Sequence, residues 1–325
     1  MKLLRLAPEN TKFGFMRFRR VSYPFSAVMS IVSVVMFLTV GMNFGIDFSG
    51  GTLIEARANS GTADLGQLRS IGDRLGLGNV EVQGFGTPAD VSIRVRLQAG
   101  GDTAQQAAVD KIKAAIGDNY ELRSVEVVGP SVSGELVQSG TLGVCLSIVA
   151  VLTYLWFRFE WQFAVGAVIA TMHDLLLTVG FFSITHLEFN TTSIAAILTI
   201  VGYSLNEAVV VLDRIREMMR KYKRMRVADM IDMSINAVLP RTIMTATTVF
   251  LALASLILFG GQVIRSFSIA MMWGIFVGTY SSVFICSPVL IYLGVRSDGT
   301  ETVSEAAKET APKAPKAKAS APSPT

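Results

Sequence analysis

Five ionisable residues lie inside or at the ends of long apolar stretches of this chain, where each needs a partner or a task. His173 and Asp174 fall near the middle of the stretch 161–182, and Glu207, with Asn206 beside it, falls in the later half of 193–212. Asp213 closes that stretch and Arg241 opens 240–259. A charge at bilayer depth costs about 2.5 to 3.5 kcal/mol on insertion scales, so such residues mark sites when they persist. The chemistry open to them is proton binding and release. Burial favours a neutral carboxyl, a nearby guanidinium favours the ionised form, and a bundle with two arrangements can alternate between those environments.

Helical spacing groups these residues. Thr199, Tyr203, Asn206, Glu207, Val210 and Asp213 recur at three- and four-residue steps, as do Arg241, Thr245, Thr248, Ala252 and Ser255, and also Ala167, Thr171, Asp174 and Thr178. Three polar stripes facing one another predict a bundle interior in which Arg241 holds Glu207 ionised until the helices rearrange. Plainer readings stand beside this one. Asp213 also reads as an interfacial helix-end charge, Arg241 as a side chain that snorkels to the surface, and His173 with Asp174 as a satisfied pair that fixes packing.

Other chemistry is poorly supplied. Two cysteines, Cys145 and Cys286, sit in apolar runs and read as packing residues, and two histidines, His173 and His186, are too few for an imidazole-built metal site. Walker loops, dinucleotide fingerprints and Ser/His/Asp constellations are not visible in the polar region 43–139, and the basic run 214–226 carries no nucleic-acid motif. The expectation is a protein that is not an enzyme, holds no metal or cofactor, binds no nucleic acid and uses the proton as its coupling ion.

The elements that must position these residues are membrane spans. Of 325 residues, 51% are apolar and only 17% charged, too few solvating groups for an ordinary soluble fold. Stretches long enough to cross about 30 Å of hydrocarbon occur at 24–42, 140–156, 161–182, 193–212, 240–259 and 267–294. Lys2, Arg5, Lys12, Arg17, Arg19 and Arg20 precede the first, Arg158 lies between the second and third, and the loop 213–239 holds the densest basic run. The connection 183–192 carries none. This alternation predicts cytoplasmic termini, with residues 1–23 inside. It places residues 43–139 outside the cytoplasm.

That region reads as a small α+β domain. Period-two alternation marks strands at 51–58, 80–85, 91–97 and 120–128, and helical spacing marks 63–75 and 103–116, with Thr62 and either Asp102 or Thr103 as N-caps. Strand, helix, strand, strand, helix, strand is the order of a ferredoxin-like sandwich. Residues 295–325, rich in Ala, Pro, Lys, Ser and Thr, predict a disordered cytoplasmic tail. The fold class is therefore an α-helical polytopic membrane protein with six transmembrane helices and one ferredoxin-like extracytoplasmic domain.

Three segments together resemble the SecD/SecF family of bacterial protein-export membrane proteins, a branch of the resistance-nodulation-division superfamily. The first is Gly45-Ile46-Asp47-Phe48-Ser49-Gly50-Gly51, similar to that family's G-x-D-F-x-G-G signature. The second runs from Val201 through Asn206 and Glu207 to Asp213-Arg214-Ile215-Arg216-Glu217. The third is Arg241-Thr242 with Thr245, Thr248, the Phe259-Gly260-Gly261 turn, Gly278 and Ser281-Ser282 before Pro288. Glu207 stands where the family usually has Asp, which keeps the carboxylate and shifts its reach by about 1 Å. Met218 stands where the family usually has Asn.

The resemblance implies a half-transporter in the inner membrane that pairs with a SecD-like subunit and uses the proton-motive force to promote late steps of export. The implied partners are the SecYEG channel, a YajC-like accessory subunit, the exported unfolded polypeptide and membrane lipids. Glu207 and Arg241 would be the central proton-responsive pair. Half of a proton-driven exporter for lipids or small hydrophobes, and a passive scaffold for the channel, share the same spans and remain open on the residues alone.

Overall fold

The computed structural model describes residues 11–295 apart from 79 and 261, so the tail assigned to 295–325 lies outside the described residues save for Val295. Six helices among them are long and apolar enough to cross a membrane. These are α1 (Arg19–Thr39), preceded by a 3-10 turn (Phe15–Phe18), then, beyond the soluble domain, α5 (Pro130–Arg158), α6 (Trp161–Thr185), α7 (Thr191–Lys221), α8 (Val227–Phe259) and the sixth, formed by α9 (Gln262–Ser281), a π-helical turn (Ser282–Cys286) and α10 (Ser287–Tyr292).

Several helices run past the expected ends. α5 starts at Pro130 rather than at 140, because Gly129 is extended and Pro130 supplies the preset φ of a first helical turn. α7 continues to Lys221 and α8 begins at Val227, so most of the basic loop is helix. α8 passes through Pro240 unbroken. Met230, Ile231, Ser234 and Ile235 are buried ahead of that proline, and two of them, Ile231 and Ile235, join Met16, Leu212 and Ile215 in one core. Their burial outweighs the lost backbone hydrogen bond.

Helices α6, α7 and α9 form the centre, with α1 against α6 and α8 against α7 and α9, while α5 is covered least. Small residues set the approach. A Cβ on Gly274 would lie 2.3 Å from Ile200 of α7, one on Gly278 3.2 Å from Ser204, and one on Gly180 2.2 Å from Ser33 of α1. The G-x-x-x-G face of α9 is thus the seam with α7. Apolar side chains on α1, α5 and α8 point outward, as Leu38, Leu146 and Leu258 do, which is the lipid-facing pattern. Cys286 is buried, but Cys145 lies on the exposed face of α5 rather than in the core.

The soluble domain contains α2 (Ile46–Ser49), β1 (Gly51–Ala58), α3 (Leu65–Arg74), β2 (Val80–Gly84), β3 (Asp90–Val95), α4 (Gly101–Ile116) and β4 (Tyr120–Val128). The strands pair antiparallel in the order β2-β3-β1-β4. Ile54, Ala56, Val82, Val91, Ile93 and Val95 alternate onto one face and meet Leu68 of α3 and Ala108, Ile112 and Ile116 of α4. The caps differ from expectation. Asp64, not Thr62, accepts from Gln67 N at 2.9 Å, and α4 starts from Gly100 without a side-chain cap. Two positive-φ glycines there, Gly100 and Gly101, turn the chain into the helix unaided.

Candidate functional site

Asp174 sits at the centre of the bundle, 1% exposed. Its Oδ2 accepts from Ser204 Oγ of α7 at 2.5 Å and from Ser281 Oγ of α9 at 2.7 Å, and its Oδ1 lies 3.0 Å from His173 Nδ1. Three helices therefore meet at one carboxylate. The π-helical turn begins one residue after Ser281, where Ser287 Oγ donates to Ser282 O, and such turns often accompany functional sites. His173 stacks at a tilt against Tyr280, whose hydroxyl pairs with Ser26 of α1 at 2.9 Å, and the imidazole Nε2 is buried with no hydrogen-bond partner.

Glu207 is one helical turn beyond Ser204 and is also buried. Its Oε1 accepts a hydrogen bond from Thr242 Oγ1 of α8. The expected partner, Arg241, precedes Thr242 by one residue and points away, exposed on the outer face of α8. Consecutive helical residues are about 100° apart around the axis, so only one of the two can face α7. No ion pair joins Glu207 to Arg241 among the described residues. Asn206 is likewise exposed, and Asp213 pairs with Arg158 of α5 at 2.5 Å at the far end of α7, away from the bundle centre.

The three polar stripes do not all face inward. Ala167, Thr171, Asp174 and Thr178 are buried within the chain. On α8 Arg241, Thr248, Ala252 and Ser255 are exposed, and beside them α7 exposes Thr199, Gly202 and Asn206. The sequence singled out the carboxylates, and its family segments included Ser204, Thr242 and Ser281, but nothing in it marked these three as the carboxylates' donors. The available signal was position: Ser204 is three residues before Glu207, and Thr242 follows the arginine that drew attention.

The glycine-rich segment is a joint rather than a site. Asp47 Oδ2 accepts from Thr191 N at 2.8 Å and from Thr191 Oγ1, placing a carboxylate at the positive end of α7. Phe48 packs with Phe44 and Phe189, and Gly45 N donates to Phe189 O at 2.8 Å. Gly51 has φ of 122°, and a Cβ there would lie 2.4 Å from Val95 O. Arg94 of β3 completes the joint. It reaches Glu188 Oε2 at 2.8 Å and Asn43 Oδ1 at 2.9 Å. Burial pushes the Glu188 carboxyl above its ordinary value, and Arg94 opposes this without cancelling it.

Fold and site together define a polytopic membrane protein whose bundle interior holds hydroxyl-bonded carboxylates and whose soluble α+β domain is fastened to one end. Residues 108–296 match the family described as protein export membrane protein SecD/SecF, C-terminal, and residues 35–61 match the SecD/SecF GG motif. The protein translocase subunit SecF of Rickettsia bellii is 45% identical over 88% of this chain and 95% of its own length, and that of Rickettsia prowazekii is 41% identical over 93% and 97%. The crystal structure of SecDF from Thermus thermophilus, a translocon-associated membrane protein, superposes with a TM-score of 0.79 at 30% identity over 89% of this chain. SecDF in a super-membrane-facing form superposes with a TM-score of 0.65 at 30% identity over 92% of this chain. This chain spans 40% of each of those SecDF chains. The chain belongs to the SecD/SecF family of protein-export membrane proteins.

Proposed function

We propose that this protein is the SecF-type half of a proton-driven export accessory complex in the bacterial inner membrane, with cytoplasmic termini and a ferredoxin-like domain on the outer side. The antiparallel order β2-β3-β1-β4 with α3 and α4 on one face supports that fold, and the basic end opposite the domain supports that orientation. A SecD-like subunit covers the exposed polar face of α7 and α8. Arg241, Asn206 and Thr248 at bilayer depth need a protein or water partner, and the solved SecDF chains are more than twice as long as this one. The complex acts with the SecYEG channel, and with a YajC-like subunit, on the unfolded polypeptide emerging beside the soluble domain.

The observation that carries the coupling role is the Asp174 and Glu207 pair, two buried carboxylates whose partners are hydroxyls on neighbouring helices. A hydroxyl donates to a carboxylate and accepts from a carboxylic acid, so either protonation state keeps a hydrogen bond. Protonation then changes charge without orphaning a buried group. Moving one charge through the membrane field yields about 2.3 kcal/mol per 100 mV, enough for a few protons to bias a helix rearrangement. Arg241 enters the pair only in a second arrangement of α8.

The test is export of a secreted reporter into membrane vesicles at fixed ATP, with and without a proton gradient. The Glu207→Gln variant, which keeps the hydrogen bond and loses the titrating charge, is expected to export at the parent's gradient-free rate under both conditions. A variant that still accelerates with the gradient excludes Glu207 from the coupling path.

A further inference from the structure

The proton site lies in the middle of the bundle, and a separate cavity of about 440 Å³ opens at the basic end, lined by Arg158, Asp213, Arg216, Glu217, Arg220 and Lys221. Its two carboxylates are already engaged: Asp213 by Arg158, and Glu217 by Arg214 at 2.6 Å. Three cations remain. Arg216 approaches Glu160 only to 3.7 Å, beyond hydrogen-bond range, and its Nε is buried with no hydrogen-bond partner. Arg220 forms no ion pair with any described residue, and Lys221 lies over the Tyr222 ring at 5.4 Å. Arg216 and Arg220, four apart, present two guanidinium forks on one face of α7.

Depth decides what anion fits. Asp213 is about 33 Å along α7 from Thr191 at 1.5 Å per residue, which reaches the edge of a hydrocarbon core about 30 Å thick. The next two turns, bearing Arg216 and Arg220, therefore stand at headgroup level. Trp156 at the end of α5 and Trp161 at the start of α6 are 72% and 55% exposed, the aromatic belt expected at that level. Directly outward, Val151 and Leu152 of α5, Val168, Thr171 and Met172 of α6 and Val201 of α7 border a shallow, mostly apolar seam that begins about 10 Å from Arg158 along the helix.

We infer that this cavity is a binding site for the phosphate of an anionic glycerophospholipid, with Arg216, Arg220 and Lys221 on the headgroup and an acyl chain over the exposed apolar side chains of α5 and α6, among them Leu152, Ile169 and Met172. The lipid enters sideways past α5, the helix least covered by the rest of the bundle. Bound there, it ties α5 to the inner end of α7, the helix that carries Glu207.

The experiment uses the purified full chain carrying Trp273→Phe in neutral detergent and phosphatidylglycerol with brominated acyl chains, read by quenching of the remaining Trp156 and Trp161. Saturable quenching is expected, with brominated phosphatidylcholine at least about ten-fold weaker. In the Arg216→Gln/Arg220→Gln variant the phosphatidylglycerol affinity is expected to fall about ten-fold or more, as for loss of two charge-assisted hydrogen bonds. A charge-matched Lys223→Gln/Arg224→Gln variant, altered outside the cavity, is expected to bind as the parent does. Equal losses in both variants reduce the effect to diffuse charge attraction and overturn the proposal. So does competition by inorganic phosphate at the lipid's own concentration, which makes the cavity a soluble-anion site. Should the double variant misfold, Lys221→Gln alone is expected to weaken phosphatidylglycerol and leave phosphatidylcholine unchanged, and no change overturns the site.

Discussion

The carboxylates that organise this molecule fall into two regions and are held by different kinds of partner. In the bundle, Asp174 and Glu207 meet serine and threonine hydroxyls and one imidazole. At the joint, Asp47 meets the first backbone N–H of α7 and Glu188 meets the Arg94 guanidinium. The difference matters because a hydroxyl serves either protonation state, whereas a guanidinium or a backbone N–H can only donate. Neutralising Glu188 at the joint gives up the attraction to Arg94 but relieves the larger cost of burying its charge. Neutralising the bundle rearranges hydrogen bonds at small structural cost, which is the property a proton-exchanging site needs.

Replacement of Asp174 tests the contrast hardest. Asp174→Ala strands the buried Ser204 hydroxyl, leaves Ser281 only its weaker bond to Gly278 O, and is expected to cost about 3 kcal/mol, while Asp174→Asn, which still accepts, is expected to cost about 1 kcal/mol. Unfolding in mixed micelles measures both, and equal losses would mean that the charge, not the hydrogen bonding, holds the bundle centre. The joint is expected to show a weaker dependence: Arg94→Leu leaves Glu188 without its cation and is expected to cost about 2 kcal/mol in the same measurement. A loss below that of an exposed control substitution would remove Arg94 from the joint.

Acidity sharpens the comparison further. With the Glu188 carboxyl raised above its ordinary value in the docked state by burial, docking takes up protons. Its contribution is fully present below the ordinary carboxylate range and is lost as pH rises through the raised value. Spin labels on α3 and on the Pro130 end of α5 are therefore expected to show a larger docked fraction as pH falls from about 8 towards about 4, and Glu188→Gln to flatten that slope. A docked fraction that grows with pH has the wrong sign for this account. The smallest loss of contacts within the chain is expected at Arg241, because the side chain lies on the exposed outer face of α8 and makes no ion pair with a described residue. Gradient-driven export by Arg241→Leu is nonetheless expected to fall well below that of Arg224→Leu, and equal export by the two would leave Arg241 without a part in coupling.

The joint also shows how much a motif conceals. Gly50 and Gly51 announce a turn, since positive φ favours glycine, and Gly51 additionally has Val95 O where a side chain would begin. Nothing local says that Asp47 caps a helix 144 residues later. The strands of the soluble domain were legible because alternation at a period of two is a property of neighbouring residues, and their pairing order follows from the antiparallel connections.

The sequence by itself determined the spans, the single soluble domain between the first two, and which residues would be costly to bury, because hydrophobic length, periodicity and charge are additive along a chain. It also singled out Asp174, Glu207, Arg241 and the glycine-rich segment as residues whose placement needs a reason. Only the tertiary structure decided partners. The choice between Arg241 and Thr242 for Glu207 is a rotation of about 100° about α8, and that rotation is fixed by Met230, Ile231 and Ile235 packing far from the site. Helical phase is set by the whole length of a helix against its neighbours, so the hydroxyls around Asp174 and the outward face of Arg241 are properties of the packed bundle and of no single segment.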